Sequence, residues 1–184
     1  MTTADGQPQV RPEPPGAAAL TGPSQWTLDA ARSSVTLRHK TMWGLSTVRG
    51  AFGELAGQAD IGADGSARGR LEIGAASLDT GNAKRDKHLR SADFFDAARH
   101  PDITFTADGV RPSAQGVAVT GMLTVRDRTR PVSFEAAASV PGDGEIWLDA
   151  EIDVNRADFG ITWNLLGAVS MYNTLTVHAV FTRR

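Results

Sequence analysis

Histidine and aspartate crowd one stretch of this chain, with Asp79, Asp86, His88, Asp93 and Asp96 close together in sequence. Such residues could build an acid/base pair or hold a metal. The spacing opposes both uses. Asp86 and His88 are two apart and leave a helix in different directions, and no second histidine follows at i+4 to complete a metal-binding face. A solvated, capped helix surface accounts for them. His39 differs, because it shares strand parity with Val35 and Leu37. That parity aims it inward, either as a hydrogen-bonded core histidine or as a polar anchor for a ligand head group. Arg156-Ala157-Asp158-Phe159-Gly160 reads as a structural loop in which Asp158 pairs with Arg156 and the glycine permits a sharp turn. Trp163 and Tyr172 flank Gly167 and are placed to form an apolar lid.

Other catalytic signatures are missing. The chain has no Gly-x-Ser-x-Gly elbow, phosphate loop or dinucleotide fingerprint. It has 0 cysteines, which excludes disulfides, thiolate catalysis and Cys-type zinc sites. No catalytic residue and no metal ligand is expected. The 19 Lys and Arg against 21 Asp and Glu, a net charge of −2, give no basic stripe for nucleic acid.

These residues must be positioned by strands. In 184 residues, 41% hydrophobic, there is room for one domain with a sizeable core. The dominant pattern from Ser24 onward is two-residue alternation. It is clearest where Ile146, Leu148, Ala150, Ile152 and Val154 alternate with Trp147, Asp149, Glu151 and Asp153. The same period recurs over residues 117–125, 132–139 and 175–182, and more weakly over 26–30, 34–40, 45–61, 68–75 and 103–107. Turn signals separate the runs at Ala63-Asp64-Gly65-Ser66, Asp108-Gly109, Arg111-Pro112-Ser113, Asp127 to Arg130 and Pro141 to Gly144. Short links imply antiparallel neighbours, and long strands broken by glycine suit a closed, coiled barrel of about eight strands. Residues 82–100 break the period and predict one or two short helices on a long connection, with Ser91 as an N-cap and Pro101 as a stop. Leu89 with Phe94 or Phe95 would close one end of the barrel.

A barrel of this size either fills its interior or leaves room for one apolar ligand. Small inward positions (Ala75, Gly121, Ala136, Ala138, Ala150, Ala179) lie among Leu37, Leu71, Phe105, Leu123, Phe134, Leu148 and Phe181, which reads as a roomy apolar tube. The same composition suits a tapering filled core, and both readings stay open at this level. Five of the nine prolines fall in residues 1–23 with few large apolar side chains, so a disordered tail is expected there, ahead of a domain over 24–184. That tail shows no secretory signal pattern and no transmembrane stretch, which leads to an expectation of a cytoplasmic protein, with an exported form whose leader was removed as the alternative.

One family accounts for many of these residues together. Ala76-Ser77-Leu78-Asp79-Thr80-Gly81-Asn82, Arg85-Asp86, His88-Leu89, Ser91-Ala92-Asp93-Phe94-Phe95-Asp96 and His100-Pro101-Asp102-Ile103-Thr104-Phe105 form one continuous stretch. With Trp26-Thr27-Leu28-Asp29, His39, Gly50-Ala51-Phe52, Gly121 to Val125, Thr129 to Val132 and Asn155 to Gly160, it resembles the YceI family of lipocalin-like barrels over most of residues 25–183. The resemblance implies an eight-stranded antiparallel barrel holding a polyisoprenoid, or a polyprenyl- or quinone-like isoprenoid lipid, commonly as a homodimer. It also implies that Asp79, Arg85, Asp86 and His88 are structural, without catalytic roles. The set expected to contact ligand is Leu37, His39, Phe52, Phe94, Phe105, Leu123, Phe134, Leu148, Phe159, Trp163, Tyr172 and Phe181. Two departures stand out: Asp127-Arg128 in place of a glycine-containing turn, and Ser170-Met171-Tyr172-Asn173 in place of a short Gly/Asp turn before the last strand. The competing functional classes are an enzyme using His39 or the Asp79–His88 cluster, and a filled barrel acting only through its surface.

Overall fold

The computed structural model describes residues 22–142, 144–164 and 167–184. Most of the tail expected over residues 1–23 therefore lies outside the described residues. Strands β1 (Ser24–Leu28), β2 (Ser34–Thr41), β3 (Ser46–Phe52), β4 (Leu55–Ile61) and β5 (Ala67–Gly74) come first, followed by the short β6 (Leu78–Asp79) and helix α1 (Ala83–Leu89). Then come β7 (Asp102–Ser113), β8 (Gly116–Val125), β9 (Arg128–Ser139), β10 (Glu145–Asn155) and β11 (Val169–Arg183).

All pairings are antiparallel, and the circuit closes where β1 returns to β11. The ring contains eight strands once two interruptions are recognised. β1 and β2 lie end to end along β11, which pairs with β1 at Phe181–Arg183 and with β2 from Val169 to His178. The break between them is an Asp29 turn whose carboxylate accepts from the backbone N–H groups of Ala31 and Arg32. β3 and β4 are likewise one long strand bent at Gly53-Glu54, as the glycines in that run led one to expect.

Alternation sets one continuous inner surface. Inward residues of β10 and β11 face each other in register as Ile146/Phe181, Leu148/Ala179, Ala150/Val177, Ile152/Leu175 and Val154/Asn173. On the other side of β11, Val177, Leu175 and Asn173 meet Val35, Leu37 and His39.

The two ends of this tube differ. At the base, Trp26, Leu28, Ala179 and Phe181 pack with Leu148, Ile146 and Leu71, and Phe105 stacks on Phe134 with centroids 5.5 Å apart. A Cβ at Gly121 would come within 2.7 Å of the Phe105 ring. Gly121 is thus small because the Thr106 carbonyl of the neighbouring strand and an aromatic ring already occupy the space, and the lower half of the tube is filled rather than roomy.

At the opposite end, called the rim, the sheet fails to close in two places. Above Gly53, β3 keeps only a two-residue contact with β6, and the connection from Ala75 to Pro101 fills the gap. Farther round, β10 pairs with β9 only over Trp147–Ala150, leaving residues 151–155 and 128–135 without ladder partners between them. Pro131 sits in this unpaired part of β9, a position that tolerates a residue lacking N–H. A 3₁₀ turn, Arg156–Phe159, packs into the opening.

Several local expectations need correction. Asp108-Gly109 is a bulge inside β7, where the register against β8 shifts, and not a turn. Asn82, whose side chain accepts from the Arg85 N–H at 3.0 Å, is the N-cap of α1. Ser91 lies beyond the helix C-terminus and donates to the His88 carbonyl. The β8–β9 hairpin turns at Arg126-Asp127, with Arg126 at φ 58, a left-handed geometry usually given to glycine. Ser170–Asn173 is an irregular opening of β11 rather than a turn.

Two outcomes follow. Trp26 is 1% exposed, and Trp26→Ala should cost about 3–5 kcal/mol in urea denaturation by opening the base. On the outer wall, Arg32 clamps Glu145 through two hydrogen bonds of 2.7 and 2.8 Å and holds its carboxyl down to about 2. The stabilisation from this pair is complete above the unfolded carboxyl value of 4.5 and is lost as pH falls through about 2. Carbon-detected NMR titration of Glu145 should show the low value, and Arg32→Met should return it toward 4.5.

Candidate functional site

The upper half of the barrel holds a cavity of about 690 Å³. Its walls come from three sources. The strands supply Leu37, His39, Val48, Ile73, Leu123, Val154 and Leu175; the connection after β6 supplies Arg85, His88, Leu89, Phe94 and Phe95; the segment after β10 supplies Arg156, Phe159, Ile161 and Trp163. The last two sources are the segments that fill the two gaps in the sheet. They meet in an aromatic cluster, in which His88 lies edge-on to Phe94 at 5.1 Å and to Trp163 at 4.8 Å. Phe94 also contacts Trp163 at 5.3 Å, and Phe52 meets Phe95 edge-on at 6.1 Å. Such tilted contacts fix ring positions without filling the space between walls.

The connection is anchored by polar contacts that keep its aromatic side facing inward. Asp86 is buried and accepts from both the backbone N–H and the hydroxyl of Thr80. Arg85 donates to the hydroxyl and carbonyl oxygens of Thr80, and Arg90 donates to the Leu78 carbonyl. Asp79 is exposed and accepts from the Gly81 N–H. Asp86 and Arg85 thus meet on Thr80, while Arg90 and Asp79 bond to backbone elsewhere, and together they hold the connection in place. Among the described residues, no group of three His, Asp or Glu side chains is arranged to hold a metal.

Besides the polar groups of the connection, the barrel side of the void presents His39 with Asn173, and Arg156. His39 Nδ1 lies 2.7 Å from Asn173 Oδ1, its neighbour in register on β11. Burial pushes the His39 imidazole below its ordinary 6.5, the Asn173 bond opposes this, and the nearby Arg156 charge adds to the depression. Arg156 is 4% exposed. It donates from Nε to the Ser170 carbonyl at 2.9 Å and from Nη1 to the Ile161 carbonyl at 3.0 Å, with its Cζ 5.9 Å from the centre of the Phe94 ring. Nη2 is buried and finds no hydrogen-bond partner among the described residues. Asp158, expected to pair with Arg156, is exposed and forms no ion pair with it among the described contacts. A guanidinium stays protonated in proteins. Arg156 therefore brings to the cavity a buried cation with one N–H group to spare, and among the described residues no carboxylate lines the void.

Of the residues expected to contact a ligand, Leu37, His39, Phe52, Phe94, Leu123, Phe159 and Trp163 line this cavity. Five do not. Phe105, Phe134, Leu148 and Phe181 point inward but belong to the filled base. Tyr172 is 64% exposed because Asn173, Leu175 and Val177 face inward on β11, so the two-residue period turns Tyr172 outward. Trp163 is part of the wall, and the lid proposed around Gly167 includes residues 165–166, outside the described residues. Arg156 and His88 join the lining although their types and spacing gave no such signal.

The family described as YceI-like domain matches residues 26–182. "Protein YceI" of Escherichia coli O157:H7 is 39% identical over 101 residues, and the match covers 52% of each chain, so this chain spans about half the length of that curated relative. Among solved structures, Burkholderia cenocepacia BcnA superposes with a TM-score of 0.76 at 23% identity, covering 83% of this chain and 98% of BcnA. A polyisoprenoid binding domain from Saccharophagus degradans, implicated in plant cell wall breakdown, superposes with a TM-score of 0.71 at 16% identity, covering 86% and 98%. These similarities support the barrel fold.

The His39 environment has a measurable sign. Because folding depresses its pKa, this residue's contribution to stability is complete above about pH 6.5 and is lost as pH falls below that toward the folded value. NMR titration should place His39 below 6.5, Asn173→Ala should lower it further, and Arg156→Met should raise it.

Proposed function

The chain belongs to the YceI-like domain family, and on that premise we propose that its cavity binds a lipid with an isoprenoid tail and sequesters or carries it. The observation that carries this reading is a void of about 690 Å³ walled by aliphatic and aromatic side chains, open at the rim and filled at the base. The volume falls in the range of small-molecule sites, roughly 300–1,000 Å³. It suits a short prenyl chain or the end segment of a longer one. Each buried CH₂ contributes roughly 0.8 kcal/mol before ordering costs. Branched isoprene units suit walls made of Leu37, Leu123, Val154 and Leu175 with aromatic faces from Phe94 and Trp163.

His39, Asn173 and the spare Nη2 of Arg156 supply polar contacts for an oxygen-bearing end of the ligand. The guanidinium N–H satisfies an acceptor oxygen, and a neutral imidazole whose Nδ1–H is donated to Asn173 leaves Nε2 to accept from a hydroxyl, with no step of chemistry. Nothing in the arrangement pairs a nucleophile with a base, which favours binding over turnover.

Organic extraction of the purified protein followed by mass spectrometry should yield a prenyl-tailed molecule near one per chain. Leu37→Trp projects an indole into the void. It should remove that molecule and weaken binding of an added prenyl alcohol more than ten-fold, with the thermal transition retained. An empty wild-type extract together with no binding of added lipid would overturn the reading.

A further inference from the structure

Among the described residues, the most extensive cluster of exposed large apolar side chains stands beside the cavity mouth. Between β2 and β3, Met42-Trp43-Gly44-Leu45 forms a tip in which Met42 is 55%, Trp43 74% and Leu45 85% exposed. Large apolar side chains left in water cost free energy, and three adjacent ones on a loop tip form a patch rather than isolated residues. The tip is built, and not a frayed turn. Met42 (φ 52), Trp43 (φ 53) and Gly44 (φ 90) occupy the left-handed region in succession, which non-glycine residues adopt only when their surroundings enforce it. The Trp43 N–H donates to the Ala168 carbonyl and the Leu45 N–H to that of Met42, so the geometry is pinned on both sides.

The segments that form the tip and the facing side of the mouth are mostly cationic. Residues 38–49, which form the two stems of the tip, carry Arg38, Lys40 and Arg49 and no acid, although Arg38 is paired across the outer wall with Glu151 of β10 at 3.4 Å. Across the mouth, residues 80–90 carry Lys84, Arg85, Lys87 and Arg90 against a single acid, Asp86, which is buried on Thr80. The whole chain has a net charge of −2, so this excess of cations is a local feature of the rim. Asp79 and Asp93 are the acids closest in sequence to that cationic stretch; the first caps the Gly81 N–H and the second bonds His88.

We propose that the Met42–Leu45 tip docks the barrel on a lipid surface bearing anionic head groups, with Trp43 and Leu45 entering the interface and the rim cations facing the phosphates. Tryptophan favours the boundary between head groups and acyl chains, and each cation held near an anionic surface adds about 1 kcal/mol. Met42 is both part of the tip and part of the cavity lining. Contact through the tip therefore brings the cavity mouth against the lipid. Passage of a lipid between the two without crossing water rests on the binding reading above, whereas the docking itself does not.

Co-sedimentation of the full chain with vesicles of phosphatidylcholine alone, and with 30% phosphatidylglycerol, tests this. Binding to the mixed vesicles should exceed binding to phosphatidylcholine at least ten-fold, weaken with added salt, and fall at least ten-fold in the double variant Trp43→Ser, Leu45→Ser. Lipids brominated near the glycerol should quench wild-type tryptophan emission, and Trp43→Phe should abolish that part of the quenching. The double variant changes only exposed side chains, and it should still yield the extracted cavity lipid, which separates failure of docking from failure of the binding reading. The proposal is overturned if wild-type protein ignores the mixed vesicles at low salt, if the double variant binds as well as wild type, or if phosphatidylcholine alone binds equally. It is equally overturned if the tip proves to mediate only a dimer that the double variant dissolves.

Discussion

Backbone hydrogen bonding is completed around the base of this barrel and interrupted twice around its rim, and most of what gives the cavity its character follows from that difference. A β-strand without a neighbour exposes a row of N–H and C=O groups that must be satisfied or covered. Here two irregular segments do the covering, one after β6 and one after β10. Because neither is a strand, neither is bound to alternate its side chains between inside and outside. Each can therefore bring several large or polar groups to the same side. The aromatic cluster of His88, Phe94 and Trp163 and the buried guanidinium of Arg156 all come from these segments.

Stability and vacancy are thereby separated along the axis. The base gathers Trp26, Leu28 and Phe181 into tight packing, where interior density gives the largest return in dispersion and burial. The rim end keeps an unfilled volume and an unsatisfied donor, both of which cost stability. A barrel uniformly packed would carry no site, and one uniformly open would hold its shape less well. Gly121 beside Phe105 and Gly50 against Leu78 and Thr80 show how glycine is used in each half to admit a bulky neighbour.

Much of the fold could be read from period alone. Alternation located every major strand, and glycines at 50, 53 and 57 marked the long bent strand that the structure divides into β3 and β4. Parity placed Leu37 and His39 correctly on the inner face. What parity lacks is depth: Phe105, Phe134, Leu148 and Phe181 face inward as firmly as Leu123 but lie at the packed end. Parity also runs against the placing of Tyr172 at the mouth, because its neighbour Asn173 faces inward and alternation turns Tyr172 outward. Arg156 and His88 were harder still. Their roles depend on how two segments distant in sequence meet across gaps in the sheet, and neither gap is visible in any single stretch of residues. The short-range reading of Arg156 with Asp158 offered a plausible local pair that the tertiary geometry does not use.

The packed base gives the tube a floor, and a tube with a floor measures what is put into it. For a lipid of the kind proposed above, a chain no longer than the void would disappear entirely, whereas each further unit would overhang the mouth and stay wet unless something else covered it. Affinity should then climb with each added unit until the floor is reached and level off beyond it. The break in that slope is set by Trp26 and its neighbours, whose packing fixes the depth of the void.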